Sequence, residues 1–323
     1  LLAARQETIM SHVVHVVAGV VKNRAGEILL AQRTEPRELA GLWEFSGGKV
    51  EVGESRFAAL QREFQEELGI KVLEAIPLMQ LLHRYPTKHI LLDVWEVTEW
   101  KGIPEGKEGQ AWGWFPLSEL RYLQFPAANY PIINALHLPK EYLITPEPES
   151  PEKFFQELHS SLQQGIRLVQ FRAKTLTATA YQDYAVEMVK IVHAYGAEIL
   201  LNAPASLAHE VGADGVHLSS TELMQLREKP ALTWVGASCH TAQEITRANQ
   251  WDMDFIVLSS VQHTATHPQQ SPLGWEQFEQ LAYTASCPVF ALGGMQRADI
   301  VLAREHGAQG IAAIRSLWNS NQR

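Results

Sequence analysis

The sequence predicts two domains of different class, a compact α+β domain followed by a short (β/α)8 barrel. Three observations carry the expectation. The chain has 323 residues, 46% apolar and 20% charged, which is ordinary globular composition and more than one hydrophobic core usually organises. Up to His137 strand-like and helix-like segments mix irregularly; from Tyr142 onward short apolar strands alternate with amphipathic helices. No internal repeat or low-complexity tract is present, so the domains are expected at 10–137 and 141–320.

Taken in order, 13–21 and 27–32 read as strands around the turn residues Asn23, Arg24, Ala25 and Gly26, hence as a hairpin. After a turn at Gly47-Gly48, the segment 55–68 puts Phe57, Leu60, Phe64 and Leu68 on one helical stripe, and Gly69 stops it. Strands are expected at 78–84, 90–98 and 112–116, and a helix at 129–136. In the second half the strands fall at 142–144, 168–171, 198–201, 215–218, 234–237, 255–258, 289–291 and 310–314, with helices such as 151–164 and 181–195 between them. Eight such strands are the pattern of a (β/α)8, or TIM, barrel.

Composition narrows the partners. A formal charge of -9 argues against a nucleic-acid polymer, whose backbone is bound by clustered Lys and Arg, and leaves room for a small anion whose charge a metal neutralises. The two cysteines, Cys239 and Cys287, have no partners at metal-ligand spacing and suit a reducing compartment, so the cytoplasm is expected. The apolar run 12–21 is far shorter than the roughly 20 residues that span a bilayer, so no membrane partner is expected. Residues 1–9 lack a signal-peptide pattern, and Met10 reads as the native start. Nothing in the sequence speaks to oligomeric state.

The chemistry concentrates at residues 48–70. Gly48, Glu54, Arg62, Glu63, Phe64, Glu66, Glu67, Gly69 and Ile70 fill the pattern G-x5-E-x7-R-E-U-x-E-E-x-G-U, with U a bulky apolar residue. Glu63, Glu66 and Glu67 stand at i, i+3 and i+4, so their carboxylates share one helix face. Like charges there repel, and hard magnesium ions, which take a few carboxylates together with substrate phosphates, relieve the repulsion. Arg62 and Glu54 can pair to hold the preceding loop on the helix. A solvated acidic face is the plainer reading of a Glu-rich helix. The glycines and arginine at fixed offsets outweigh it.

This box resembles that of the Nudix hydrolases, which cleave nucleoside diphosphates linked to another moiety. The resemblance covers about residues 12–136 and implies that family's α+β fold and a magnesium cofactor, with manganese as a substitute. Within the family, the segments 43–49, 106–110 and 125–129 resemble the MutT branch, the 8-oxo-dGTP diphosphatases. Carried over by position, Gly47 would offer a main-chain carbonyl to the metal, and Glu63, Glu66, Glu67 and Glu108 would supply carboxylates or the general base. Which glutamate is the base stays open. Arg33, Glu44, Phe45 and Ser46 would line a pocket for a small nucleotide, and Asn129 would read the base. A carboxamide can face the N7-H donor and O6 acceptor of 8-oxoguanine together, whereas guanine shows only acceptors on that edge. Asn129 could instead cap a helix, and Glu108 could be a plain loop carboxylate beside Lys107. Ser46 departs from the proline usual in that branch, and 35–39 is not distinctive.

The second half, over roughly 141–318, resembles thiamine phosphate synthase and the TenI-type thiazole tautomerase through segments 142–146, 170–174, 212–218, 236–241 and 293–295, all at expected strand ends. It departs from the synthase where the magnesium-binding Asn-Asp becomes Asn202-Ala203, where Thr-x-Thr-Lys becomes Thr264-Ala265-Thr266-His267, and where a serine becomes Arg315. Glu222 is read as a second acidic position that is kept. Arg172, Lys174, Ser238, His240 and the Gly293-Gly294 turn are the ligand candidates, since glycine lets backbone N-H groups approach an anion. His240 matches the tautomerase's acid/base histidine and equally suits a structural histidine. The barrel is thus read as a residual tautomerase or synthase, a ligand-binding module or a structural partner. For the whole chain the leading expectation is 8-oxo-dGTP hydrolysis. The rivals are a Nudix hydrolase of another nucleoside or thiamine-pathway diphosphate, and a non-catalytic nucleotide sensor.

Overall fold

A computed structural model of the chain describes residues 13–34, 39–84, 89–263 and 271–318, which divide into two compact units, 1–137 and 138–323. The readings made on Met10, on 35–38 and on 264–267 lie outside the described residues. Among the described residues no helix is long and apolar enough to cross a membrane.

The first unit runs β1 (Val13–Val21), β2 (Ile28–Gln32), β3 (Trp43–Glu44), β4 (Gly47–Lys49), α1 (Arg56–Leu68), β5 (Lys71–Arg84), β6 (His89–Lys101), β7 (Trp112–Phe115) and α2 (Tyr130–His137). One sheet has the order β4-β1-β6-β5 and the other β3-β2-β7. The expected hairpin is not formed. Its turn is present, with the Asn23 side chain accepting from the Ala25 and Glu27 amides at 2.9 and 3.0 Å, but β1 and β2 share only the bridge between Lys22 and Ile28. Both edges of β1 are taken, by β4 antiparallel and by β6 in a nine-residue parallel register, so β2 enters the other sheet.

That arrangement explains why β1 and β2 are apolar almost throughout. Val17, Val21, Leu29 and Ala31 enter a core that contains Leu60, Phe64 and Leu68 of α1. Ala18, Val20, Ile28 and Leu30 enter a second core with Ile132 and Ile133 of α2. Strand alternation therefore feeds two cores. Ser55 caps α1, accepting from the Ala58 amide at 3.1 Å, and Gly69 ends it with φ 67°. Strand β5 begins well before the expected residue 78. It runs through Pro77, where β5 is an edge strand with register shifts, the setting in which a sheet tolerates proline.

The second unit is a closed barrel of eight parallel strands, ordered β10-β11-β12-β13-β14-β15-β8-β9. They are β8 (Glu141–Ile144), β9 (Leu168–Phe171), β10 (Glu198–Leu201), β11 (Gly215–Leu218), β12 (Trp234–Cys239), β13 (Phe255–Ser259), β14 (Val289–Leu292) and β15 (Gly310–Ala313). All eight expected strands form. Outward side chains pack under the surrounding helices, among them α3 (Pro151–Gln163), α4 (Ala178–Ala194), α5 (Ala205–Val211), α6 (Ser220–Gln225) and α7 (Ala242–Gln250). Inward side chains, with Tyr142, Trp234, Phe255 and Phe290 the bulkiest, fill the interior. Helix α4 starts three residues before the expected 181, because Thr177 caps it by accepting from the Ala180 amide at 3.3 Å.

Candidate active site

Helix α1 carries the first cluster. Arg62 donates from Nε and Nη2 to the two oxygens of Glu54, at 3.0 and 3.1 Å, and from Nη2 to the Lys49 carbonyl at 2.9 Å, which fixes the loop before the helix. Its Nη1 reaches Glu63 at 2.8 Å and Glu66 at 3.2 Å. The Arg62 hydrogen bond holds the Glu54 carboxyl below its usual range, and these partners raise Arg62 further. Gly48 is required by close approach: a methyl group there would stand 2.2 Å from Glu63 Oε1.

Glu67 is half-buried, between exposed Glu66 and buried Leu68. Burial first, then the charges of Glu44 and Glu63, and less strongly Glu108, push its carboxyl up to about 8, against the Gly47 amide that donates to it at 3.3 Å. Glu108 reaches this neighbourhood because its loop clips onto the open end of α1. The amides of Glu105 and Lys107 donate to the carbonyls of Leu68 and Glu67, both at 2.9 Å, satisfying groups that a helix C-terminus leaves unpaired. Gln110 completes the clip: its Nε2 donates to the Glu67 carbonyl at 2.8 Å and its Oε1 accepts from the Glu108 amide at 2.8 Å. Arg33, Glu44, Glu67, Glu108 and Gln110 line one open, shallow cleft.

Among the described residues no three Asp, Glu, His or Cys side chains stand at ion-holding spacing. The donor set nevertheless fits a hard cation. Glu67 is half-buried in the field of three other carboxylates, and only protons or a cation relieve that arrangement. Glu63, Glu66, Glu67 and Glu108, with the Gly47 backbone, are the residues that could hold it.

Arg33 pairs with Glu44 across β2 and β3. Phe45 and Ser46 are buried, and the Phe45 amide donates to Asn129 Oδ1 at 3.3 Å. Asn129 ends a short 3-10 turn, Ala127–Asn129, immediately before α2. Its side chain thus meets the segment between β3 and β4, while Phe45, Ser46 and Asn129 are not among the residues lining the cleft. The residue that sequence reasoning missed is Gln110, quoted only within a segment; its part comes from a loop docking that no spacing encodes.

The barrel candidates lie at the C-terminal strand ends. Arg172 follows β9, with its amide donating to Thr145 Oγ1 at 3.0 Å. The Lys174 side chain is exposed, and its amide donates to Glu147 at 2.8 Å. Ser238, near the end of β12, contacts His217 Nε2 at 2.9 Å. His240 is exposed; its Nδ1 lies 3.4 Å from Glu244, which also accepts from the His240 amide at 2.6 Å. Gly294 is exposed beyond β14, with φ 74°. Asn202 donates to the His217 carbonyl at 2.9 Å, and Ala203 follows it without a donor side chain. Glu222, read as a kept acidic ligand, is engaged in a capping box, accepting from the Ser219 amide and hydroxyl, both at 2.7 Å. Arg315 is exposed, and the adjacent Ser316 donates to the Met295 carbonyl at 2.7 Å.

The Nudix-domain family model matches residues 17–135, and the thiamine monophosphate synthase family model matches 141–317. The first half is 42% identical over 124 residues to the 8-oxo-dGTP diphosphatase of Haemophilus influenzae, covering 38% of this chain and 91% of that protein. It is 39% identical over 121 residues to the 8-oxo-dGTP diphosphatase of Escherichia coli, covering 38% of this chain and 94% of that protein. The second half is 33% identical over 182 residues to a putative thiamine-phosphate synthase 2 of Aquifex aeolicus, covering 55% of this chain and 97% of that protein. The chain belongs to the Nudix family through its first half and to the thiamine monophosphate synthase family through its second.

Proposed function

We propose that the first unit hydrolyses 8-oxo-dGTP to 8-oxo-dGMP and pyrophosphate, removing an oxidised nucleotide before it causes mutation. The observation that carries the hydrolase reading is that Glu63, Glu66 and Glu67 share α1 while the docked loop brings Glu108 to the cleft that Glu67 lines. Magnesium, or manganese in its place, would supply phosphate neutralisation and a more acidic water. Glu63, Glu66, Glu67 and Glu108 would hold it, and one of these glutamates would take the proton from the attacking water. Arg62 would keep Glu54 and Glu63 in register. Arg33, with its partner Glu44, would flank the nucleotide.

Relatives named 8-oxo-dGTP diphosphatase support the substrate, and Asn129 gives it a physical basis. Its Oδ1 accepts from Phe45, and an amide oxygen has a second lone pair for an N7-H. Its amino group remains a donor for O6. A site that needs the N7-H rejects guanine, whose bare N7 would face the Asn129 oxygen acceptor to acceptor. The test is turnover of 8-oxo-dGTP, dGTP and thiamine-type diphosphates with magnesium, Glu67→Gln serving as control. Asn129→Asp keeps the acceptor for N7-H and removes only the donor for O6, which both bases share, so preference should survive; Asn129→Ala removes the acceptor as well, and preference for the oxidised base should collapse. Equal turnover of dGTP and 8-oxo-dGTP by the unaltered protein would refute the assignment.

For the second unit we infer a synthase-like barrel with impaired pyrophosphate handling. Glu222 commits one carboxylate oxygen to its cap, and Ala203 cannot ligate a metal. Failure to rescue a thiamine auxotroph, together with a thermal shift on adding thiazole phosphate, would fit a ligand-binding role. Rescue would refute the impairment.

A further inference from the structure

Within the barrel, strand alternation turns Tyr142 of β8, His217 of β11 and both Trp234 and Ser238 of β12 toward the axis. Tyr142 and Trp234 belong to the apolar interior floor, while Ser238 stands near the C-terminal end of its strand and is partly exposed. Between floor and opening runs a polar chain. The Tyr142 hydroxyl lies 3.1 Å from His217 Nδ1, and His217 Nε2 lies 2.9 Å from Ser238 Oγ. Gly236 leaves room for the imidazole, since a methyl group there would stand 3.0 Å from His217 Nδ1 and 2.6 Å from the Phe255 ring.

We infer that Tyr142 and His217 are positioning residues that fix the Ser238 hydroxyl as a hydrogen-bond donor to an oxyanion at the C-terminal opening of the barrel. The direction of the chain follows from satisfying buried protons. A neutral imidazole has one N-H and one lone pair. The Tyr142 hydroxyl is fully buried and His217 Nδ1 is its one described hydrogen-bond partner, so the phenolic proton goes to Nδ1. Nε2 then carries the imidazole proton and donates it to Ser238 Oγ. With that lone pair occupied, the serine's own proton turns outward.

The Ser238–His217 contact resembles a nucleophile and its base, but the chemistry is opposite. Nε2 has no lone pair with which to accept the serine proton. The other nitrogen faces a phenol rather than the carboxylate that would stabilise an imidazolium. Burial, and next the nearby charge of Arg172, hold His217 down to about 3, consistent with a permanently neutral ring. Arg172, at the end of β9, adds positive charge to the same opening, so the fitting ligand is an anion carrying acceptor oxygens, such as a phosphate group.

The test uses the full chain labelled with 15N-histidine, in EDTA. Long-range 1H-15N spectra should show one histidine, identified by its displacement in Ser238→Ala, as a neutral Nε2-H tautomer that does not titrate between about pH 5 and 8. Titration with inorganic phosphate should show saturable binding that Ser238→Ala weakens about fivefold or more. Tyr142→Phe should weaken it less and shift the tautomer equilibrium of the same ring. An Nδ1-H tautomer or an imidazolium in the unaltered protein overturns the inference. So does phosphate binding that is absent, or that Ser238→Ala leaves unchanged. The tautomer reading and Ser238→Ala suffice should Tyr142→Phe fail to fold.

Discussion

Arg62 grips Glu54 through two parallel hydrogen bonds, at 3.0 and 3.1 Å, while its remaining terminal nitrogen reaches Glu63 at 2.8 Å. One planar guanidinium thereby sets the distance between a loop and a helix face. Arg62→Lys keeps the charge and loses the fork. It should lower kcat/KM for 8-oxo-dGTP about 10–100-fold, the usual effect of removing an outer support of a metal site, with the far-UV circular dichroism unchanged. Retention of most activity would show the clamp to be dispensable.

Gly48 faces the Glu63 carboxylate so closely that Gly48→Ala would put a methyl group 2.2 Å from Oε1. The carboxylate is the movable partner, so the fold should survive and the melting temperature should change little. Displacing a catalytic group by an ångström costs about a hundredfold in rate, and a loss of that order is expected in kcat.

Glu67 supplies a pH prediction. Burial first, then Glu44 and Glu63, place its carboxyl at about 8 in the metal-free protein, against 4.5 for the ordinary side chain. From pH 4.5 to 8 the folded metal-free protein holds a proton that the unfolded chain has released. Its stability therefore falls as pH rises through that window, by at most about 1.4 kcal/mol per unit. Magnesium needs the ionised carboxylate, so binding at pH 7 should release about one proton, and affinity should rise toward pH 8. Calorimetry in buffers of different ionisation enthalpy measures the proton directly. No release at pH 7 would contradict the assignment of Glu67 as a ligand.

Gln110 ties the Glu108 amide to the Glu67 carbonyl by two bonds of 2.8 Å. Gln110→Ala should loosen the loop and raise the magnesium concentration for half-maximal activity about tenfold, with kcat at saturating magnesium nearly restored. A fall in kcat alone, at unchanged magnesium dependence, would point to a direct role with substrate instead.

What the sequence disclosed and what it hid divide along local and non-local lines. Glu63, Glu66 and Glu67 were legible because helical spacing alone puts them on one face, and Ser55 and Gly69 mark that helix's ends by local chemistry. The barrel strands were legible because each is a short apolar run between turn residues. The partner of β1 was not, since Asn23 to Gly26 form a good turn whether or not the flanking strands pair. Glu222 reads two ways, because an acidic residue three positions after Ser219 is also half of a capping box. The Gln110–Glu67 bond joins residues 43 positions apart, and no local pattern reports it.

Acid should weaken the barrel. Burial, with Arg172 second, depresses His217 from 6.5 to about 3. Below pH 6.5 the unfolded chain binds a proton that the folded chain refuses. Stability is therefore lost as pH falls from about 6.5 toward 3, with a limiting slope of about 1.4 kcal/mol per unit, and is flat in this respect above 6.5. Urea unfolding between pH 4 and 7 should show the slope, and His217→Gln should flatten it.

The aromatic interior has a consequence for traffic. Tyr142 packs edge-on against Phe255 at 5.3 Å, and Phe255 in turn against Phe290 at 5.6 Å and Trp234 at 6.3 Å. A barrel stoppered in this way is a cup rather than a pipe. A molecule that settles beside Ser238 enters and departs by the same rim, so a departing product and an arriving ligand must take turns.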